Sequence, residues 1–359
     1  MLILCLTITF VLIKFIGGRV MCFFLFIKVL LFCFLLNARP AMNSNPASVL
    51  VIDDFHPSFV NQLEASGLHV NYRPDFDPTT ELNLLNSAEI IAVRSKMNFT
   101  STILSDLPNL TCIARGGAGM DNIDEAFAKS KDIVLLNAPE GNRDAVAEHC
   151  IGLLLNISNK ISQSCAEVKN GQWNREANRG WEIGGKTIGI VGFGNTGSSF
   201  AQKLSGFDAN VVAYDKYQAV ESPFAIEIEL DEMLKTADII SFNVPLTAET
   251  KGMINSELIG KMKDGVVLLN TSRGGICKLS DVQLGIIGGK IKSFGTDVLE
   301  NENLNTWTEA ERRLVDELIA SNQVLITPHV AGWTFESYQK IADVLAHKII
   351  EYTTKLKNI

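Results

Sequence analysis

The chain has 359 residues, a net charge of −8, 20% charged residues and seven cysteines. That length can bury two cores, and the acidic balance without a basic patch argues against a nucleic-acid binder. The cysteines form no C-x-x-C pair and no Cys/His ligand spacing, which excludes a disulfide framework and a zinc site and reads as free thiols in a reducing compartment.

Residues 1–36 differ from everything after them. Two nearly all-apolar blocks, 1–16 and 20–36, are broken by Lys14, Gly17-Gly18-Arg19 and Lys28. Neither offers the roughly 20 clean apolar residues of a membrane span. Arg39 and Pro40 spoil the small-residue cleavage pattern near Ala38 and Ala41. Three readings stand: a start assigned too early, with the true start at Met42; a membrane anchor; or a secretory signal. The first is favoured, so the expected location is the cytoplasm, with a membrane only if the segment is real.

The first domain is expected to begin with a strand over 48–52, a helix over 57–66 and a strand over 68–72, a βαβ unit. A strand over 89–93 ends in Arg94-Ser95-Lys96, cations at the carboxyl end of a parallel strand, where α/β sheets bind ligands. The strand over 110–114 runs into Arg115-Gly-Gly-Ala-Gly119, whose bare backbone can approach a small anion. After a strand over 133–137, residues 142–158 show helical periodicity and suit an inter-domain helix; His149 within it is read as structural. Residues 171–181 read as a loop.

A glycine motif organises the second domain. Residues 187–191 are a short apolar run suited to a buried parallel strand. Gly192, Gly194 and Gly197 follow in G-x-G-x-x-G spacing, for a tight turn, room for a pyrophosphate and close helix packing. The next helix aims its free N–H groups at phosphate. Asp215, 23 positions after Gly192, ends the strand over 210–214, where an acid accepts from ribose hydroxyls and repels a 2′-phosphate. The cofactor expected is therefore NAD. A short strand over 226–230, a helix over 230–236, and strands over 237–244, 265–270, 291–295 and 324–327 follow. Several end in polar or catalytic residue types.

Hydride transfer from a 2-hydroxy acid needs a cation for the carboxylate, a base for the hydroxyl proton and a partner that orients the base. Arg273, His329 and Glu302, at or just beyond strand ends, fit those three roles.

The segments Asn-Thr-Ser-Arg-Gly-Gly (270–275), Thr-Asp-Val-Leu-Glu-Asn-Glu (296–302) and Thr-Pro-His-Val-Ala-Gly-Trp (327–333), with Arg-Asp-Ala-Val-Ala-Glu (143–148) and the nucleotide motif, resemble the NAD-dependent D-2-hydroxyacid dehydrogenase family. The resemblance runs from about residue 48 to the C-terminus. It implies an α/β fold of two Rossmann-like, doubly wound parallel-sheet domains: 48–142 binding substrate, 143–327 binding NAD and inserted in the first, and 328–359 returning to the first as a helix over about 333–355. It implies Arg273 as substrate anchor, His329 as acid/base and Glu302 as its partner. Cofactor contacts implied are Gly192, Phe193, Gly194, Asn195, Thr196, Gly197, Asp215, Asn243, Val244, Pro245, Thr250, Thr271, Ser272, Asp297 and Gly332. Substrate contacts implied are Arg94, Ser95, Lys96, Gly117 and Ala118, with Arg94 and Lys96 suited to a phosphate, and no metal.

Within the family the chain looks most like 3-phosphoglycerate dehydrogenases, the enzymes of serine biosynthesis. Glyoxylate/hydroxypyruvate reductase and D-lactate-type dehydrogenase are the alternatives, and an NAD-sensing, non-enzymatic protein the alternative of another class. Two features depart from that group. Asn303 stands where the family usually has proline after the catalytic Glu, and the chain ends after its last helix, without the expected regulatory domain. Residues 303–322 form a longer stretch, expected to shape the pocket mouth or an interface. A homodimer or homotetramer through the nucleotide domain is expected.

Overall fold

The computed structural model describes residues 47–357, so the readings of residues 1–41 fall outside the described part. Among the described residues no helix is long and apolar enough to cross a membrane.

Five strands make the first sheet: β1 (Ser48–Val51), β2 (His69–Tyr72), β3 (Ile90–Val93), β4 (Cys112–Arg115) and β5 (Val134–Asn137). All are parallel, in the order β2-β1-β3-β4-β5. Every residue of β3 is buried, as a central parallel strand covered on both faces requires, whereas β2 at the edge exposes His69, Asn71 and Tyr72.

Seven strands make the second sheet: β6 (Thr187–Val191), β7 (Asn210–Tyr214), β8 (Ile226–Glu227), β9 (Ile239–Phe242), β10 (Val266–Asn270), β11 (Ile291–Thr296) and β12 (Val324–Ile326). Their order is β12-β11-β10-β9-β6-β7-β8, again all parallel. The chain winds outward from β6 to one side through β7 and β8, then returns to the other through β9. That reversal opens a crevice at the carboxyl end of β6. The two-lobed, doubly wound α/β architecture is the one expected; β8 is shorter than the strand expected over 226–230.

Two long helices join the lobes. The first, Pro139–Asn159, starts earlier than its apolar pattern because Pro139 sits in its first turn, where a missing N–H costs nothing. Lys160, left-handed at φ 54°, separates it from a further helix, Ile161–Lys169. On its second-lobe side, Val146, Ala147, Cys150, Leu153 and Leu154 pack with Ile188, Ile190 and Phe200. The second, Phe335–Lys357, crosses back and buries Ile341, Ala342, Leu345, Ala346 and Ile349 against Val49, Phe59, Leu63, Cys112 and Ala114 of the first lobe. Asp343 on it accepts from Ser58 Oγ (2.5 Å) and Gln62 Nε2 (2.6 Å).

Residues 303–322 neither reach the cleft mouth nor stay irregular. Asn303 caps a short turn, Leu304–Thr306, by accepting from the Asn305 backbone N–H. A reciprocal capping box between Thr308 and Glu311 then opens the helix Glu309–Ala320, whose Val315 and Leu318 enter the core under the second sheet.

The two joining helices meet backbone to backbone at Gly141, where an added Cβ would lie 2.6 Å from both the Cα and the N of Ile341. Gly141→Ala should therefore force the helices apart and lower the denaturant midpoint, by about 1–3 kcal/mol of stability. Equilibrium unfolding in urea reads this, and a stabilised variant would contradict the close contact.

Candidate active site

The carboxyl ends of both sheets face one cleft of about 1080 Å³. Of the residues implicated from sequence, it is lined by Arg94, Ser95, Gly117, Ala118, Asn195, Thr196, Asn243, Val244, Pro245, Thr271, Ser272, Arg273, Asp297, His329 and Gly332. Lys96 does not line it. Its ammonium group donates to the carbonyl of Pro74, on the far side of its own loop. The backbone N–H groups of Arg94, Ser95 and Lys96 all donate to Asp53 Oδ2, at 2.8, 2.9 and 3.0 Å. The backbone N–H groups of this turn are thus taken by an internal carboxylate, and the Lys96 ammonium is directed away from the cleft.

The nucleotide side of the cleft fits a dinucleotide. Gly192 is left-handed at φ 89°, and an added Cβ there would lie 2.5 Å from the carbonyl oxygen of Asn243. Gly197 packs on the Gly192 carbonyl, leaving no room for a side chain. Nothing blocks the space beside Gly194, and no side chain caps the helix Asn195–Leu204. Its first N–H groups are therefore left for an anion. Asn243 Oδ1 is buried and has no partner among the described residues, an acceptor open to a polar ligand. Asp215 ends β7 with Oδ2 accepting from Phe193 N at 2.8 Å and Oδ1 from Tyr217 N at 2.9 Å. Oδ1 also accepts from Gln218 N at 3.3 Å, so it is Oδ2 that keeps a lone pair for a hydroxyl donor. Thr250 lies outside the cleft wall and bonds the Pro245 carbonyl at 2.6 Å.

His329 Nδ1 lies 2.7 Å from Glu302 Oε2. The two come from separate loops, after β12 and β11, and meet only in the fold. The Glu302 hydrogen bond raises the imidazole pKa above its ordinary 6.5, over the opposing effect of burial. Burial alone would raise Glu302, but the bond to His329 and its charge bring the carboxyl below its usual value. His329 itself is left-handed at φ 55°, a strained conformation for a residue with a Cβ. The buried carboxylate of Asp297 holds that turn. It accepts from Thr327 Oγ1 (2.5 Å), Val330 N (3.0 Å) and Ala331 N (2.7 Å), while its carbonyl accepts from His329 N (2.8 Å). His149 reaches the same group: its Nε2 lies 2.9 Å from Thr327 Oγ1 and 3.6 Å from Asp297 Oδ1.

Arg273 crosses the cleft. Its Nε donates to Asp121 of the first lobe at 2.7 Å and its Nη1 to the Ser272 carbonyl at 2.7 Å. Arg115, read from sequence only as the start of a glycine loop, is a cleft residue with its Nε buried and unpartnered. Burial, then the charges of Arg273 and Arg94, pull its pKa down, yet a guanidinium stays charged. Arg94 is held flat under Trp333 (4.3 Å) and beside Tyr338 (5.3 Å), whose hydroxyl donates to Asp54 at 2.6 Å. The signal for Arg115 was present: like Arg94, it is a cation ending an apolar strand before a loop.

A profile of the D-isomer specific 2-hydroxyacid dehydrogenase NAD-binding domain matches residues 151–331. The chain belongs to that family. It is accordingly an NAD-dependent oxidoreductase. A hydroxypyruvate reductase of Thermotoga maritima is 36% identical over 271 residues, 75% of this chain and 86% of that protein. A D-3-phosphoglycerate dehydrogenase of Archaeoglobus fulgidus is 33% identical over 305 residues, 84% of this chain but 56% of that protein. The chain thus spans little more than half the length of that dehydrogenase. Among solved structures, a D-lactate dehydrogenase from Aquifex aeolicus in complex with NAD and lactic acid matches with a TM-score of 0.75 and 28% identity, over 87% of this chain and 97% of that one.

The His329–Glu302 pair has a direct readout. In an NMR titration, assigned by difference from His329→Asn, the ring should stay protonated above pH 6.5, its ordinary midpoint, and lose its proton only as pH rises through the raised value. Glu302→Gln should move the transition down; an unmoved transition would mean the carboxylate does not govern the proton.

Proposed function

We propose that this dehydrogenase interconverts a D-2-hydroxy acid carrying a second anionic group and its 2-keto acid, with 3-phosphoglycerate and 3-phosphohydroxypyruvate the leading pair. The observation that carries this reading is the cluster of three guanidiniums, Arg94, Arg115 and Arg273, in one cleft with His329. One guanidinium suffices for the C1 carboxylate. The other two supply charge for a further anion, which lactate and glyoxylate lack. Hydroxypyruvate is the second reading. Trp333 and Tyr338 crowd Arg94, whose Nη1 also donates to the Asp54 carbonyl at 3.3 Å, which suits a small distal group.

The division of labour follows from the geometry. Arg273 binds the carboxylate and draws electron density from the oxygen on the reacting carbon. His329, with Nδ1 committed to Glu302, has Nε2 for the substrate: it takes the hydroxyl proton during oxidation and returns it during reduction. Glu302 stabilises the imidazolium between those events. Asn195, Thr196 and the uncapped helix N-terminus would hold the pyrophosphate, and Asp215 the ribose. Asn243, Thr271, Ser272, Asp297 and Gly332 would surround the remainder. NAD, when bound, supplies the hydride acceptor. Residues 48–142 and 328–359 would form the substrate domain, with 143–327 inserted as the NAD domain; that boundary falls inside the helix Pro139–Asn159, so both lobes share it.

A cytoplasmic homodimer or homotetramer accords with dependence on a nucleotide pool. Ile161, Val168 and Trp173 stand exposed on the nucleotide lobe, at 52, 52 and 83% of their full area, which supports assembly through that lobe.

His329→Ala should lower kcat by about 10²–10⁴-fold while NADH binding survives; full turnover would refute the acid/base role. Arg94→Ala and Arg115→Ala, assayed with NADH on 3-phosphohydroxypyruvate, hydroxypyruvate, pyruvate and glyoxylate, should lose about tenfold or more on the phosphorylated acid and little on glyoxylate. Equal losses on all four acids would argue against a distal anion site. No turnover of any by the wild type, with NADH still bound, would favour an NAD sensor.

A further inference from the structure

Asp215 accounts for only part of the groove in which the adenosine half of the cofactor would lie. The loops that follow β7 and β9 rise on either side of β6, and they touch across its carboxyl end. Lys216, next to Asp215, pairs with Glu249 of the opposite loop. Tyr217 donates its hydroxyl to the other oxygen of the same carboxylate at 2.6 Å. One acidic side chain therefore holds two consecutive residues of the ribose loop. Glu249 is itself set by its turn: Thr250, the next residue, bonds Thr247 and the Pro245 carbonyl. The pairing is strong enough to raise the Lys216 ammonium pKa and lower that of the Glu249 carboxyl.

The chemistry of the groove turns on what a 2′-phosphate would meet. A cation beside the acidic ribose ligand is the group that can neutralise such a phosphate. Lys216 stands in that place but is spent on Glu249. That engagement disfavours a phosphorylated ribose and leaves a plain one alone.

We propose that Glu249 is a cofactor-specificity residue, acting through Lys216: it withholds the cation next to Asp215 and so strengthens the preference for NAD over NADP. The proposal rests on Asp215 as the ribose ligand. It concerns discrimination rather than catalysis, since Glu249 lies outside the cleft that holds His329 and Arg273.

The test is calorimetric titration of the full chain with NADH and NADPH, without substrate. Glu249→Gln should raise NADPH affinity relative to NADH by roughly threefold to tenfold, the scale of one exposed charge-assisted pair. Adding Lys216→Ala to that variant should abolish the gain. An affinity ratio that does not move with Glu249→Gln would overturn the proposal, as would a gain that persists without Lys216. Failure of the wild type to bind NADH would sink the ribose assignment, and this inference with it. Binding of NADH with an unchanged ratio would sink the inference alone.

Discussion

The active arrangement depends on one buried carboxylate. Asp297 lies almost wholly out of water, at 1% exposure, where an uncompensated charge is costly. Its compensation is the backbone of the loop after β12: two N–H groups and a hydroxyl converge on its oxygens, and its own carbonyl takes the N–H of His329. The loop is thereby wound tightly enough to hold His329 in a left-handed conformation that would otherwise relax. Because β11 delivers both Asp297 and, a few residues later, Glu302, one strand end fixes both the backbone and the ring of the histidine.

Around that fixed point the cleft is strongly asymmetric in charge. Arg94, Arg115 and Arg273 line the substrate side, whereas the nucleotide side offers backbone N–H groups and a helix end. The first, which Asp121 and Glu125 also line, suits small acids, because point charges in a partly dry cleft act at short range. The second suits a pyrophosphate, whose charge is spread over several oxygens. The two halves of the reaction are thus recognised by different physical means. That separation lets the nucleotide lobe be common to a family whose members act on different acids.

Much of this was legible in the sequence, and the reasons are local. The β6 strand and the three glycines that follow it encode a turn whose geometry depends on neighbours a few residues away. The grouping of Arg273 and His329 in one cleft, with Glu302 against the histidine, was legible because each sits at or just past a strand end, and parallel strands bring their carboxyl ends to one side. What failed to show was side-chain direction. Arg94 and Lys96 are two positions apart on one loop, yet one faces the cleft and the other the Pro74 carbonyl, a choice made by tertiary partners such as Trp333 and Tyr338. The helix Glu309–Ala320 was missed although Thr308 and Glu311 carry a capping-box spacing. Its apolar face is narrow, with Val315 and Leu318 buried among polar residues. Arg115 was hidden by the glycines beside it.

The ion pair between Arg273 and Asp121 joins one lobe to the other. The guanidinium proposed to receive a substrate carboxylate is here also a strut, already engaged by an internal acid. Both side chains retain contact with water, at 25 and 41% exposure, and such pairs weaken once the Debye length shrinks toward about 8–10 Å at 0.10–0.15 M salt. The hold that this pair has across the cleft is therefore a part of the inter-lobe contact that salt can weaken, while the two buried helices keep theirs.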